Sequence, residues 1–233
     1  MELVRKKEIV QAVLPRKQVC QDLMKLAEKC ANTPPEKDGW RQRQNDAMDN
    51  LARGIIYKFP TIEELNEYFE KNHIKDEKAI NYTERRLLNV VPSLVMEKAL
   101  CRMGATKCPN IYDKDCDIYL KDGLPVDVKI SVLSKKWDSL DFNDPIEVEN
   151  YAWWNYEKQS KGQRNSYQNR LIFVCCGETL QERLVAKANL EELISTGLDY
   201  MDQGPNMTKL LVRDGNGYGH TVYYDIVPVN WRA

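Results

Sequence analysis

The chain has 233 residues, is 42% hydrophobic and 30% charged, and carries a formal net charge of −1. That balance describes a folded globular chain rather than a disordered one, and it offers no global attraction to nucleic acid, so any such binding must come from local basic patches. No run approaches the ~20 apolar residues of a membrane span, and the opening Met-Glu-Leu-Val-Arg-Lys-Lys-Glu has no apolar signal core, so a cytoplasmic protein is expected.

In chain order, residues 1–32 carry apolar residues at helical spacing (Ile9, Val10, Val13, then Val19, Leu23, Leu26), interrupted by Pro15. Pro and Gly make 31–39 a loop, and 40–58 suggests a further helix. Thr61-Ile62-Glu63-Glu64 is a capping box that opens a short helix through Phe69. Residues 1–85 thus read as a helical N-terminal accessory region and 86–233 as the main domain. The basic residues Arg5, Lys6, Lys7, Arg16, Lys17, Arg41 and Arg43 read as solvated helix faces, and His73 as a surface residue. The seven cysteines include no C-x-x-C pair. Cys101, Cys108 and Cys116 are too widely spaced for a zinc knuckle, so buried structural thiols are expected.

Residues 83–103 form a helical stretch in which Pro92 is a break, a kink or a first-turn proline. Met96, Ala99, Leu100 and Met103 give it one apolar face, Glu97 stands at the border of that face, and Gly104 is placed to end the helix. A first strand is expected over 105–112 and a β-hairpin over 116–131. There Ile118 and Leu120 alternate with Asp117 and Tyr119, and Val126, Val128 and Ile130 alternate with Asp127 and Lys129, which is the strand period. Lys121-Asp122-Gly123 is the turn between them. The hairpin therefore gathers two carboxylates and an ammonium on one face. The run Val126–Ile130 is too apolar for an exposed edge, and charges on a central strand need a reason because unpaired buried charge is costly.

A polar segment with Lys135, Lys136 and Trp137 follows. Next come a helix over 145–160 with Trp153 and Trp154, a basic, amide-rich loop over 158–170, and a buried strand over 171–176. A helix over 180–196 and strands over 209–213 and 220–229 complete the chain. The glycine cluster 214–219 reads as a turn rather than a phosphate loop, because it does not join a strand to a helix. His220 is read as a strand-end residue.

The order is helix with Glu97, strand, strand with Asp117, strand with Asp127-Val128-Lys129, helix, strand. It resembles the PD-(D/E)xK nuclease superfamily over roughly residues 92–177. The resemblance implies an α/β, restriction-endonuclease-like core, a central mixed β-sheet flanked by helices, and a metal-dependent DNA endonuclease. Carried over, Asp117 matches the first acid, Asp127 and Lys129 the D-x-K pair, and Glu97 the helix acid. Glu97, Asp117, Asp127 and the Val128 carbonyl would hold Mg²⁺ or Mn²⁺, hard cations suited to oxygen donors. Lys129 would orient the attacking water and support the charge of the phosphorane. Cys116 stands where the family's name pattern has Pro. Asp113 and Asp115 compete for the first-acid role, but the alternation starts at Asp117. Asp76-Glu77-Lys78 also fits the tripeptide, yet lies in a polar segment without alternation. Lys135, Lys136, Lys158, Lys161, Arg164 and Arg170 would contact phosphates, and Gln159, Gln163, Asn165 and Gln168 bases or phosphates. Trp153 and Trp154 would stack on bases or, as helix residues more often do, pack the core. DNA is the expected partner, with RNA as the alternative, and the resemblance admits a homodimer. The rival readings are a catalytically inactive nucleic-acid-binding relative and a purely internal acid–lysine network.

Overall fold

The structure, a computed structural model, describes residues 3–33, 61–110, 113, 115–160, 167–213 and 217–230. The helix expected over 40–58 and the glycine-rich segment 214–216 lie outside the described residues. The helical start divides at Pro15 as expected, into α1 (Leu3–Val13) and α2 (Lys17–Asn32). In α3 (Ile62–Lys71), Thr61 and Glu64 form the anticipated capping box.

One long helix follows, α4 (Glu77–Arg102), and it runs through Pro92 without a break. Proline removes one helix N–H, but Leu87, Leu88, Val91, Val95 and Met96 are buried on both sides of it and hold the two halves to one core. The helix begins six residues earlier than its apolar pattern indicates, because Asp76 caps it by accepting from the Lys78 N–H at 3.0 Å. The second Asp-x-Lys match in the sequence is thus a helix start. At the other end Gly104 takes φ 104°, which ends the helix as read.

The sheet has six strands: β1 (Thr106–Lys107), β2 (Ile118–Tyr119), β3 (Pro125–Val132), β4 (Arg170–Cys175), β5 (Thr208–Arg213) and β6 (Gly219–Val229). Their spatial order is β1-β2-β3-β4-β6-β5. The first three pair antiparallel, β3, β4 and β6 run parallel, and β5 returns antiparallel on β6. Helix α5 (Pro145–Ser160) makes the crossover from β3 to β4. The first strand is shorter than expected because Pro109 cannot continue the ladder. The single helix expected over 180–196 is two, α6 (Leu180–Ala188) and α7 (Leu190–Gln203), since Asn189 ends one and caps the other.

Period-two alternation gives the sheet two cores. Val126, Val128, Ile130, Leu171, Phe173 and Cys175 join a larger cluster with α1, α2, α3, α4, α6 and α7. Ile172 and Val174 join a smaller cluster with Tyr151, Ala152 and Tyr156 of α5. The sheet is therefore covered on both faces, and every residue of β4 is buried. The N-terminal helices share a core with the sheet, and the expected boundary at 85/86 falls inside α4.

Helix α7 packs on α4 through a close approach at Gly197, where an added Cβ would collide with the Met96 sulfur. Met96 is fully buried and adjoins Glu97. Gly197→Ala gains roughly 1 kcal/mol of helix propensity but overpacks this contact at ~1–3 kcal/mol. The expected net loss, about 1 kcal/mol, is read from the urea midpoint at unchanged m-value.

Candidate active site

The site forms where β2 leaves β3. The two strands pair only at Ile118 with Val126 and Tyr119 with Pro125. Asp117, just before β2, donates its N–H to the Val126 carbonyl at 2.9 Å. Its carboxylate accepts from the Val128 N–H at 2.8 Å. Asp117 therefore brackets Asp127 from both sides, and a side chain takes over the edge donor that the departing strand gives up.

Asp127 is 3% exposed. One of its oxygens meets the Lys129 ammonium at 2.6 Å and the other accepts from Gln168 Nε2 at 3.2 Å. Glu97 reaches the same region from α4, buried and ion-paired to Lys107 of β1. Glu97, Lys107, Asp117, Val128 and Lys129 all line one cavity of about 350 Å³, whose far end is formed by Arg86, Asn89 and Ser93 of α4. Asp127 does not line this cavity; it stands behind Lys129, beside Asp117.

Burial pushes the Asp117 carboxyl up to about 7, and the charges of Asp127 and then Glu97 push it the same way, against the Val128 hydrogen bond. Three acids thus crowd a poorly solvated site in which ionising the third is opposed by the other two. Among the described residues no group of three His, Cys, Asp or Glu side chains is placed to hold a metal ion. Glu97 and Asp127 are turned onto lysines instead. The donor chemistry still fits a hard divalent cation: carboxylates around a polar cavity, with a mutual repulsion that a cation relieves.

The competing acids are set apart. Asp113 and Asp115 are exposed in the loop before β2, and the Asp115 N–H bonds the Asp113 carboxylate at 2.9 Å. Lys107, Arg86, Asn89 and Ser93 were not among the expected site residues. Arg86, Asn89, Ser93 and Glu97 lie on one stripe of α4 at spacings of three and four, the signal that marks them in the sequence.

The expected phosphate contacts divide. Lys135 and Lys136 are exposed on a short 3₁₀ turn, and neither lines the cavity. Lys136 lies over the rings of Trp137 (5.4 Å) and Trp154 (6.0 Å). Trp153 and Trp154 pack on the smaller core, their helix-packing role. Lys161, Arg164 and the side chain of Lys158 lie outside the described residues. Arg170 is corrected: it is fully buried, not a surface cation. It opens β4 opposite Asp127 of β3, and its guanidinium stacks 4.1 Å over the Tyr156 ring. An apolar strand start drew it inside, where it serves as a counter-charge near Asp127.

No family model, curated protein or solved structure matches the chain.

Arg170→Met is expected to cost ~2–4 kcal/mol of stability, through the lost cation–π contact and the exposed need of Asp127 for positive charge. Urea unfolding of the variant beside wild type checks this.

The raised Asp117 carboxyl sets a pH dependence. Between pH ~4 and ~7 the folded chain holds a proton that the unfolded chain releases, so stability falls as pH rises through that window. In EDTA, Asp117→Asn should flatten this fall and make the protein more stable than wild type at pH ~8, by on the order of 2 kcal/mol. Thermal melts across pH check both.

Proposed function

We propose that the chain is a metal-dependent endonuclease that hydrolyses phosphodiester bonds in DNA, built on a restriction-endonuclease-like core. One observation carries the reading. At the split between β2 and β3, Asp117 closes over an Asp127-x-Lys129 strand while Glu97 enters the same cavity from the preceding helix. The strand order agrees, since an antiparallel β1-β2-β3 unit leads through a helical crossover into a parallel strand.

Glu97, Asp117, Asp127 and the Val128 carbonyl are the groups that would hold Mg²⁺ or Mn²⁺. A bound ion of this kind lowers the pKa of its water and neutralises charge developing on phosphate. The remaining work falls to the chain. Lys129, tethered to Asp127 at the cavity wall, presents an ammonium to the non-bridging phosphate oxygens and to the attacking water. Asp127, anchored by Lys129 and Gln168, fixes that ammonium in place. Lys107 neutralises Glu97 in the absence of metal and leaves it an exchangeable partner, because its own side chain is half exposed. Lys135 and Lys136 supply exposed positive charge for a duplex backbone.

The rival reading, a nucleic-acid-binding relative without turnover, draws on one fact: Glu97 and Asp127 are each already neutralised by a lysine. The deciding assay incubates supercoiled, linear and single-stranded DNA with Mg²⁺, Mn²⁺ or EDTA. Wild type is run beside Asp127→Ala and Lys129→Ala. Metal-dependent cleavage reduced at least about 100-fold in both variants is expected. Cleavage that persists in both overturns the assignment of this site. DNA binding that survives EDTA, with no cleavage by any form, favours the rival.

A further inference from the structure

The acids occupy only one end of the cavity. At the other end stand Arg86 and Asn89, two turns or more up α4, with no carboxylate among the lining residues there. Behind Asn89 lies Lys187 of α6, 5% exposed in the helical layer, with its ammonium 2.6 Å from Asn89 Oδ1. A buried ammonium is expensive unless an anion meets it. Among the described residues Lys187 has no carboxylate partner. Burial pushes its ammonium down to about 8 and the Arg86 guanidinium adds to that push, while the Cys175 thiol, itself pushed up to about 12 by burial, is no anion to offset it. Arg86 thus stands in the cavity wall with Lys187 behind it, and the Asn89 carboxamide beside them is exposed.

The hydrogen bond also settles which way Asn89 points. Lysine only donates, so it must meet the oxygen of the carboxamide. The Asn89 amide nitrogen is then the group left to donate from the cavity wall, beside Arg86. A donor pair of this kind, backed by a buried positive charge, matches the oxygens of a phosphate. Asn89 stands eight residues from Glu97, which is about 12 Å along the helix axis. That equals the axial rise of three to four nucleotides at ~3.4 Å per nucleotide of one strand.

We infer that the Arg86–Asn89 end of the cavity is a phosphate subsite, which takes a backbone phosphate a few nucleotides from the scissile one. Arg86 and Asn89 are its contacts, and Lys187 is a positioning residue that orients the Asn89 carboxamide. The anion site stands on its own geometry; its place on a DNA strand rests on the nuclease reading. It gives the chain a grip on its substrate that no surface lysine provides, and it explains why a lysine is kept inside an apolar layer.

The test uses the full chain and two probes. The first is inorganic pyrophosphate in EDTA, followed by calorimetry, with wild type, Arg86→Gln, Asn89→Leu, Lys187→Met and Lys187→Arg. Asn89→Leu withdraws the acceptor of the Lys187 ammonium, so the fold of each variant is checked by circular dichroism before titration, and Arg86→Gln, which leaves that hydrogen bond in place, tests the subsite independently. Pyrophosphate should bind wild type, and Arg86→Gln and Asn89→Leu should each weaken it about tenfold or more. Lys187→Arg should restore most of what Lys187→Met loses. The second probe is the metal-dependent cleavage assay, in which Asn89→Leu should raise KM several-fold and leave kcat within about twofold. Absence of pyrophosphate binding to wild type, or equal binding by wild type and Asn89→Leu, overturns the subsite. Cleavage with an unchanged KM in Asn89→Leu overturns it while sparing the nuclease. Pyrophosphate binding that depends on Asn89, in a protein that cuts nothing, upholds the anion site and sinks the nuclease.

Discussion

The site depends on a single hydrogen bond, from the Val128 N–H to the Asp117 carboxylate. A strand that leaves its neighbour exposes edge donors, and an unmet donor in a partly buried site costs about as much as the bond it lacks. Asp117 meets that need with a side chain. In doing so it brings a carboxylate beside Asp127 and toward Glu97, where burial and like charge both oppose ionisation. Selection for stability alone would replace this acid with a neutral acceptor such as Asn, which could take the same N–H. The acid thus carries a cost in stability that such a neutral acceptor would not.

The charges around it form a layered arrangement. Lys129 and Lys107 each hold one acid and remain partly exposed, so both are open to exchange with a ligand. Arg170 and Lys187 are sealed inside the protein, one on each side of the sheet. Sealed cations cannot move, but they set the field around the exposed groups, in a medium that screens them little. The two kinds of cation thus divide the electrostatic work between a fixed background and a replaceable partner.

Much of this was legible in the residues. The alternation of β3 and the continuous apolar run of β4 placed the strands, and capping residues placed the start of α3. Spacing along α4 identified its apolar face and put Glu97 at the border of it. What escaped the sequence were features that depend on partners distant in the chain. Arg170 read as part of a basic loop because nothing local reveals that Tyr156 would lie under its guanidinium. Asn189 divided a continuous apolar pattern because a cap competes with helix propagation, and periodicity does not register that contest. Lys107 and Lys187 entered through tertiary contacts, with α4 from a short strand and from a distant helix. The strand split itself was invisible, since pairing stops there without any change in the alternation.

The continuity of α4 through Pro92 has a geometric consequence for how the chain can change. Arg86, Asn89, Ser93 and Glu97 are mounted on one rod, and a helix holds its length and its angular phase. Removing one residue between Asn89 and Glu97 would rotate one end against the other by about 100°, carrying Asn89 out of the cavity wall. Removing four would shorten the rod by about 6 Å yet return the stripe nearly to phase. The tolerance of this segment to length change is therefore periodic, with the period of the helix.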